Sequence, residues 1–412
     1  MPLGRRAVLG AGLAAALAGC RSSPTFVSPA AAAPSAAPVP VAPAASVDLT
    51  PLLQRHLKPT PANPKHPGYA GAVALVMVNG RITTHVAVGH ALRYTAGPRE
   101  LPPAKRVAMR KDSIFDTASL TKVYTAILAL QLVDQRKLDL SAPVRTYLPG
   151  FTGAGKDRIT VAMLLSHTSG LPVGVRRTGL SRKSVLTTPL VSGARPGDAF
   201  RYSSTGLMVA GQLIEKLTGK TLDRALRDNL TTPLGLTDTG FLPLKWVRAP
   251  ARLVATDARS SRGLLRGVVH DDVCNDLGGV AGHAGVFATA RDVAVIGQML
   301  LDGGTFNGRR VLSPEIVQQM LINANKGKKA YDPERPKRTA DHGLGVVLNQ
   351  RWFMGALSGP ATFGHTGFTG TSLVVDPTRS LVLVLLTNRA HPNWTWSNPD
   401  PIRAAVADAV AT

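Results

Sequence analysis

Ser119 stands three residues ahead of Lys122 at the head of a long apolar run, a pairing that could make a nucleophile. From Ser119 to about Gln135, apolar residues recur at helical spacing (Leu120, Val123, Ile127, Leu128, Leu132) with no Gly or Pro among them. That period predicts a buried amphipathic helix, and residues three apart share one face of it. A hydroxyl at a helix start meets free backbone N–H groups and the positive end of the dipole, which together can hold a developing anion. A lysine held beside it, drier than in water, becomes a plausible base. The same spacing also fits an N-cap serine followed by an ordinary surface lysine, and Ser-x-x-Lys alone recurs by chance.

Two more stretches could complete a site around Ser119. Tyr202 sits in a loop just ahead of a predicted helix, flanked by small hydroxyls. It is a phenol available for proton transfer or a half-buried structural tyrosine. Gly364-His365-Thr366-Gly367 ends one predicted strand and turns into the next. Glycines beside a polar pair let a ligand lie along a strand edge and take backbone N–H bonds; the alternative is an ordinary turn histidine.

Together and in this order, Ser119-Leu-Thr-Lys122, Tyr202-Ser-Ser204 and His365-Thr-Gly367 resemble the serine β-lactamase and penicillin-binding protein family, closest to its class C-like branch of peptidases and esterases. LLSHTSGLP (164–172) and PLGLTDT (233–239) look like that family's connecting segments, and the resemblance spans roughly residues 68–410. It implies a β-lactamase/transpeptidase-like fold and an acyl-enzyme mechanism. Ser119 would attack a carbonyl, with Lys122 and Tyr202 sharing the general-base and general-acid work. The backbone N–H groups of Ser119 and Phe368 would hold the oxyanion. His365 and Thr366, beside Gly367, would recognise a substrate carboxylate or orient Tyr202. Position 204 is Ser where the family often has Asn, and position 365 is His where β-lactamases proper have Lys. Both departures argue against efficient antibiotic degradation and leave the acylation machinery intact.

Positioning these residues requires a scaffold, and the chain predicts an α+β one. Gly71 to Val78 and Arg81 to Val88 are β-branched runs joined by Asn79-Gly80, a dipeptide suited to the positive φ angles of a tight hairpin turn. Helices are expected at Leu49–Leu57, Ile159–Leu165, Gly206–Thr218 (closed by Gly219), Leu222–Leu230, Asp292–Leu301, Pro314–Ile322 and Asp400–Val410. The tail changes period, with strands expected at 343–348, 362–365, 372–376 and 381–387. Strands at both ends with helices between predict one antiparallel sheet built from the two termini, in an α/β sandwich, with a mostly helical lobe at about 141–284. Leu277 to Gly285 is so glycine-rich that its backbone must turn tightly or approach something closely.

Residues 1–20 carry an Arg5-Arg6 pair, an apolar stretch and Leu17-Ala18-Gly19-Cys20. Twelve apolar residues are too short to span a bilayer, so residues 1–19 read as an export signal. Its end looks like a lipobox in which Cys20 is lipidated, and the paired arginines match a twin-arginine signal only loosely. Residues 20–47 are an Ala/Pro-rich tether that cannot build a core, and the catalytic domain is expected over 48–412. Localisation is thus expected at the membrane, lipid-anchored and facing the cell wall or periplasm.

The formal charge is +23 on 412 residues, with basic residues scattered rather than blocked. This suits an anionic envelope polymer or phospholipid surface; no motif for nucleic acid is present. With Cys20 lipidated, Cys274 has no partner for a disulfide and reads as a small buried apolar side chain. His270, Asp271, Asp272 and His283 match no standard metal-ligand spacing, so no metal and no organic cofactor are expected. The resemblance suggests instead that His270-Asp271 and the glycine run wall a substrate pocket.

The expected activity is a serine hydrolase acting on D-amino-acid peptides of the cell wall, with weak β-lactam binding. Its rivals are a carboxylesterase on small acyl esters, although no Gly-x-Ser-x-Gly elbow is present, and a non-catalytic cell-wall binding or sensor protein.

Overall fold

Alternation that would leave one strand face wet is missing from the two most apolar strands, and the structure shows why. The computed structural model describes residues 46–412; the export signal, Cys20 and nearly all of the tether lie outside the described residues. A helix, α1 (Thr50–Arg55), leads to β1 (Gly71–Val78) and β2 (Arg81–Leu92), which form the expected hairpin. Asn79 and Gly80 take φ of +50° and +73° at its turn. Then follow β3 (Val107–Ala108), β4 (Val347–Leu348), β5 (Phe363–Thr366), β6 (Ser372–Asp376) and β7 (Leu381–Thr387). The seven strands form one antiparallel sheet in the order β4-β5-β6-β7-β1-β2-β3.

Strands from the two ends of the chain meet where β1 pairs with β7, from Ala72 opposite Thr387 to Val78 opposite Leu381. Both are buried on both faces. Val73 and Leu75 of β1 and Val382 and Val384 of β7 point into the larger core, whereas Ala72, Ala74, Leu383 and Leu385 point into a second one. The second core is closed by α1 and by the final helix, Asp400–Ala411. A strand covered on both sides reads as continuous apolar sequence, which is how GAVALVMV and LVLVLLT look.

The larger core is built on α2 (Thr121–Asp134), buried from Thr121 through Leu132. Around it pack α3 (Val161–Leu165), α4 (Ser204–Thr218), α5 (Asp272–Asp276) and α6 (Ala290–Leu301), most contributing to the same core. α4 ends at Gly219 in the left-handed region, as a C-terminal glycine should.

The expected helical lobe at 141–284 is less regular than its length suggests. It contains a short helix at Arg182–Thr187, a π-turn at Arg227–Thr231 and the strand pair Ala255–Asp257 with Leu265–Arg266. Of the strand expected at 343–348 only Val347–Leu348 pairs, because Gly345 takes φ +80° and the chain turns there. The described residues form one compact unit, and no helix among them is long and apolar enough to cross a membrane.

Gly297 brings α6 onto the sheet: a Cβ there would lie 2.7 Å from Val382 Cγ1 and 3.0 Å from Leu373 Cδ1. Alanine normally gains about 1 kcal/mol over glycine inside a helix. Overpacking against a stiff β-branched neighbour costs about 1–3 kcal/mol. Gly297→Ala is therefore expected to destabilise by about 1 kcal/mol, read as a lower urea midpoint at unchanged slope.

Candidate active site

The chain reaches Ser119 through a strained residue. The short strand Phe115–Asp116 pairs with Phe287–Ala288 and leads to Ala118, whose φ of +48° is left-handed. A non-glycine residue there costs about 1–2 kcal/mol and persists where its surroundings over-determine it. Asp116 supplies the restraint. Its Oδ1 accepts the Ala118 N–H at 2.8 Å and its Oδ2 accepts the His270 N–H at 2.7 Å. Burial pushes this carboxyl up to about 6, with the two N–H bonds pulling the other way. A 3₁₀ turn, Ala118–Leu120, then carries Ser119 into α2.

Lys122 lies in the first turn of α2 with no exposed surface. Its Nζ is 2.8 Å from Ser119 Oγ and 3.0 Å from the carbonyl oxygen of His283, to which it donates. That carbonyl comes from the glycine-rich stretch, whose Gly282 oxygen also accepts Thr125 Oγ1 at 2.7 Å. A Cβ at Gly282 would run into the Leu207 carbonyl and the Gly211 backbone, so only glycine lets this segment pass between α2 and α4. The expected close approach is thus a passage between two helices.

Tyr202 arrives from the other side. It precedes Ser203, the N-cap of α4, whose hydroxyl accepts the Gly206 N–H at 3.0 Å and donates to Pro172 O at 2.9 Å. This cap sets the backbone so that the Tyr202 ring centroid lies 5.0 Å from Lys122 Nζ. Ser204 opens α4, half-buried, with its N–H on Val173 O.

The turn after β5 is bolted to the loop carrying Ser119. Thr369 Oγ1 donates to Asp116 O at 2.8 Å and Thr371 Oγ1 to Thr117 O at 2.9 Å. A Cβ on Gly367 would collide with the Thr117 carbonyl and Thr371. The backbone N–H groups of Ser119 and Phe368 have no hydrogen-bond acceptor among the described residues. One free donor therefore belongs to Ser119 itself and the other to the turn packed against its loop.

His365 is buried, with Nδ1 2.8 Å from Thr366 O. Burial first, then the charge of Lys122, pushes its pKa well below the usual range. A neutral ring supplies no fixed charge for a substrate carboxylate, so of its two expected roles the geometry suits the orientation of Tyr202, 6.4 Å away between ring centroids. Thr366 ends β5, half-buried.

His270 is also buried, and burial holds it down to about 4. Its ring stacks on Phe368 at 5.4 Å, so it backs that residue; Phe368 itself is 42% exposed. Asp271 accepts from His283 Nε2 at 3.0 Å. Burial pushes Asp271 up, but the His283 bond outweighs it and leaves the carboxyl well below its ordinary value; burial lowers His283 itself, so a neutral ring donates to a carboxylate. Asp272 turns away to Arg262 and Arg177. These four residues do not converge on a common point.

Among the described residues, the one group of imidazoles and acids close enough to share an ion is His167, His342 and His365. No spacing in the sequence joins them. His167 stood inside LLSHTSGLP and Asp116 just ahead of Ser119, but neither carried a sign of its role.

A buried lysine on a serine, a phenol across from it and two free N–H groups are the parts of a covalent hydrolase, and the comparisons with known proteins agree. The family model described as Beta-lactamase matches residues 53–408. The chain belongs to the β-lactamase family. It is a serine hydrolase. An N-acetylmuramyl-L-alanine amidase of Bacillus subtilis (strain 168) is 32% identical to it over 355 residues, covering 79% of this chain and 78% of the relative. A protein of Escherichia coli (strain K12), provisionally named D-alanyl-D-alanine carboxypeptidase, is 30% identical over 361 residues, 79% of each chain. The crystal structure of a penicillin-binding protein homologue from Caulobacter crescentus shares the fold, with TM-score 0.63 at 21% identity over 89% of this chain and 98% of that one.

Two outcomes follow for this β-lactamase-family hydrolase. Gly367→Ala is expected to lower kcat/KM at least about 100-fold, since a 1 Å misplacement alone costs that much; a steady-state assay measures it. The second concerns pH. Burial depresses the pKa of His167, His270, His283, His342, His365 and His391, with His342 and His391 held down to about 3. Unfolded imidazoles titrate near 6.5, so below that pH the unfolded chain binds more protons and stability falls. Each such ring contributes a slope of up to about 1.4 kcal/mol per pH unit. Asp116, raised to about 6, works oppositely between about 4 and 6, and Asp292, also raised, works in the same sense as Asp116, but the two are outnumbered. Thermal unfolding should show Tm dropping steadily from pH 6.5 to 4.5; a flat profile would contradict this.

Proposed function

We propose that Ser119 is acylated by, and then releases, peptides containing D-amino acids from the bacterial cell wall. The observation that supports this most is the 2.8 Å separation of Ser119 Oγ and Lys122 Nζ. Ser119 Oγ attacks the substrate carbonyl carbon, its proton passing to the neutral amine of Lys122, directly or by relay through the Tyr202 hydroxyl, which gives up its own proton as it takes one. The tetrahedral oxyanion takes the free N–H groups of Ser119 and Phe368. Collapse expels the leaving amine, protonated by the same pair, and leaves an ester on Ser119. Water, deprotonated in turn by that pair, hydrolyses the ester. The relatives named as an amidase and a carboxypeptidase support amide substrates of the wall.

A second reading, a carboxylesterase on small acyl esters, is favoured by one observation. His365 is neutral and buried where β-lactamases proper have Lys, so no fixed cation waits there for a carboxylate. Intact mass after exposure to β-lactams, p-nitrophenyl acetate and a D-Ala-D-Ala peptide distinguishes the two by the acyl group retained.

A fluorophosphonate should label the wild type. Ser119→Ala should lose the label and at least about 10³-fold in kcat, and Lys122→Ala about 10²–10⁴-fold. Rates unchanged in both variants would leave a binding or sensor protein instead.

The Leu-Ala-Gly-Cys end of the signal supports lipidation of Cys20, placing the enzyme on the outer face of the membrane beside anionic wall polymers. Cys20→Ser should move it from the membrane fraction to the soluble one.

A further inference from the structure

Three histidines from distant parts of the chain meet beside Tyr202. His167 follows α3, His342 precedes β4 and His365 lies on β5; all are buried, and a ring nitrogen of each lies within 4.8 Å of those of the others. Their backbone partners decide their tautomers. The Ser203 N–H reaches His167 Nδ1 at 3.0 Å. An N–H can only donate, so this Nδ1 carries the lone pair and the proton of the neutral ring sits on Nε2. His342 Nδ1 lies 2.7 Å from Gly343 O, and His365 Nδ1 lies 2.8 Å from Thr366 O. A carbonyl can only accept, so both rings are protonated on Nδ1 and bare on Nε2. None of the three Nε2 atoms has a hydrogen-bond partner among the described residues.

The cluster therefore leaves one buried donor and two buried acceptors, and such groups are costly without partners. One water is their complement, since it gives two protons and accepts one. Three bonds of about 2.8 Å in tetrahedral directions hold their outer atoms about 4.6 Å apart, close to the observed limit of 4.8 Å. A divalent cation fits less well. It needs a lone pair from each ring, and His167 offers one only by giving up the Ser203 bond. Arg338 and Lys122 add positive charge nearby.

The ring of His167 packs on that of Tyr202 at 4.6 Å. Its Nδ1 also holds the N-cap residue that follows Tyr202, so shifting this imidazole shifts both the phenol and its backbone. His342 lies 4.9 Å from His167 and 6.5 Å from His365 between ring centroids. We propose that His167, His342 and His365 are positioning residues that enclose one ordered water, which donates to His342 and His365, accepts from His167 and so locks Tyr202 over Lys122. The functional half rests on Tyr202 taking part in the acyl transfer proposed above.

Nitrogen-15 NMR of the histidine-labelled full chain at neutral pH tests the first half. The expected pattern is a protonated Nε2 on His167 and a protonated Nδ1 on His342 and His365. The same tautomer on all three rings, or one equivalent of zinc retained on purification and removed by EDTA, overturns it. His342 tests the second half, because its ring packs on His167 while the rings against Tyr202 are those of His167 and His365. His342→Leu should lower kcat about tenfold with KM little changed, and His342→Gln, whose amide oxygen can still accept the water's proton, should recover most of it. A wild-type kcat in His342→Leu, or no recovery in a folded His342→Gln, overturns the positioning role. The tautomers are read without turnover, so they stand if the fluorophosphonate label of the wild type proves independent of Ser119, an outcome that would sink the acyl-enzyme reading instead.

Discussion

The candidate site of this hydrolase depends on a joint between one loop and one turn. The loop carries Ser119 into α2, and the turn follows β5. Two threonine hydroxyls cross the joint, donating to consecutive backbone carbonyls at Asp116 and Thr117. Such bonds individually contribute about 1 kcal/mol. Here they also decide geometry, because they tie the turn that carries Phe368 to the loop that carries Ser119 although the two are far apart in sequence. Gly367 makes the joint possible by having no side chain where the Thr117 carbonyl sits. Ala118, held by its N–H bond to Asp116, accepts an unfavourable φ on the same loop. Strain on one side and close contact on the other hold the hydroxyl at a helix start, where the backbone can stabilise charge.

Electrostatics around the site follows from burial more than from pairing. Lys122 is enclosed with a serine and a carbonyl as its partners, and burial lowers the pKa of the histidines near it. The resulting site is polar yet carries few fixed charges. Asp271 is the exception, kept ionised by His283, whose own carbonyl receives Lys122. Through that one residue the carboxylate and the amine are joined without touching.

Local patterns made the sheet and α2 legible. Asn79-Gly80 gave away the hairpin, and the apolar runs at 71–78 and 381–387 matched their strands residue for residue. Ser119, Lys122, Tyr202 and the His365 turn stood out only together and in order, since each short motif alone is common. The middle of the chain was harder. At 176–201 and 244–270, turns and single hydrogen bonds rather than periodicity set the path, and no window of sequence contains both partners. His342 is the clearest case: its neighbours are 175 positions before it and 23 after it, at His167 and His365. Asp116 was in plain view but looked like any loop aspartate, since its role appears only when His270 and Ala118 both bond to it.

The seam between β1 and β7 has a bearing on how this enzyme is made. Gly71 N–H donates to the side chain of Asn388 across a separation of 317 positions, so the first long strand has no neighbour on that side until almost the whole polypeptide exists. Pairings this remote must close a large loop before they repay any of its entropy, which makes them late and slow. A nascent chain emerging from the ribosome would hold Ser119 beside an unfinished half-sheet. The strands that complete the sheet beside β1, Ser372–Asp376 and Leu381–Thr387, thus follow the loop of Ser119 by about 250 positions.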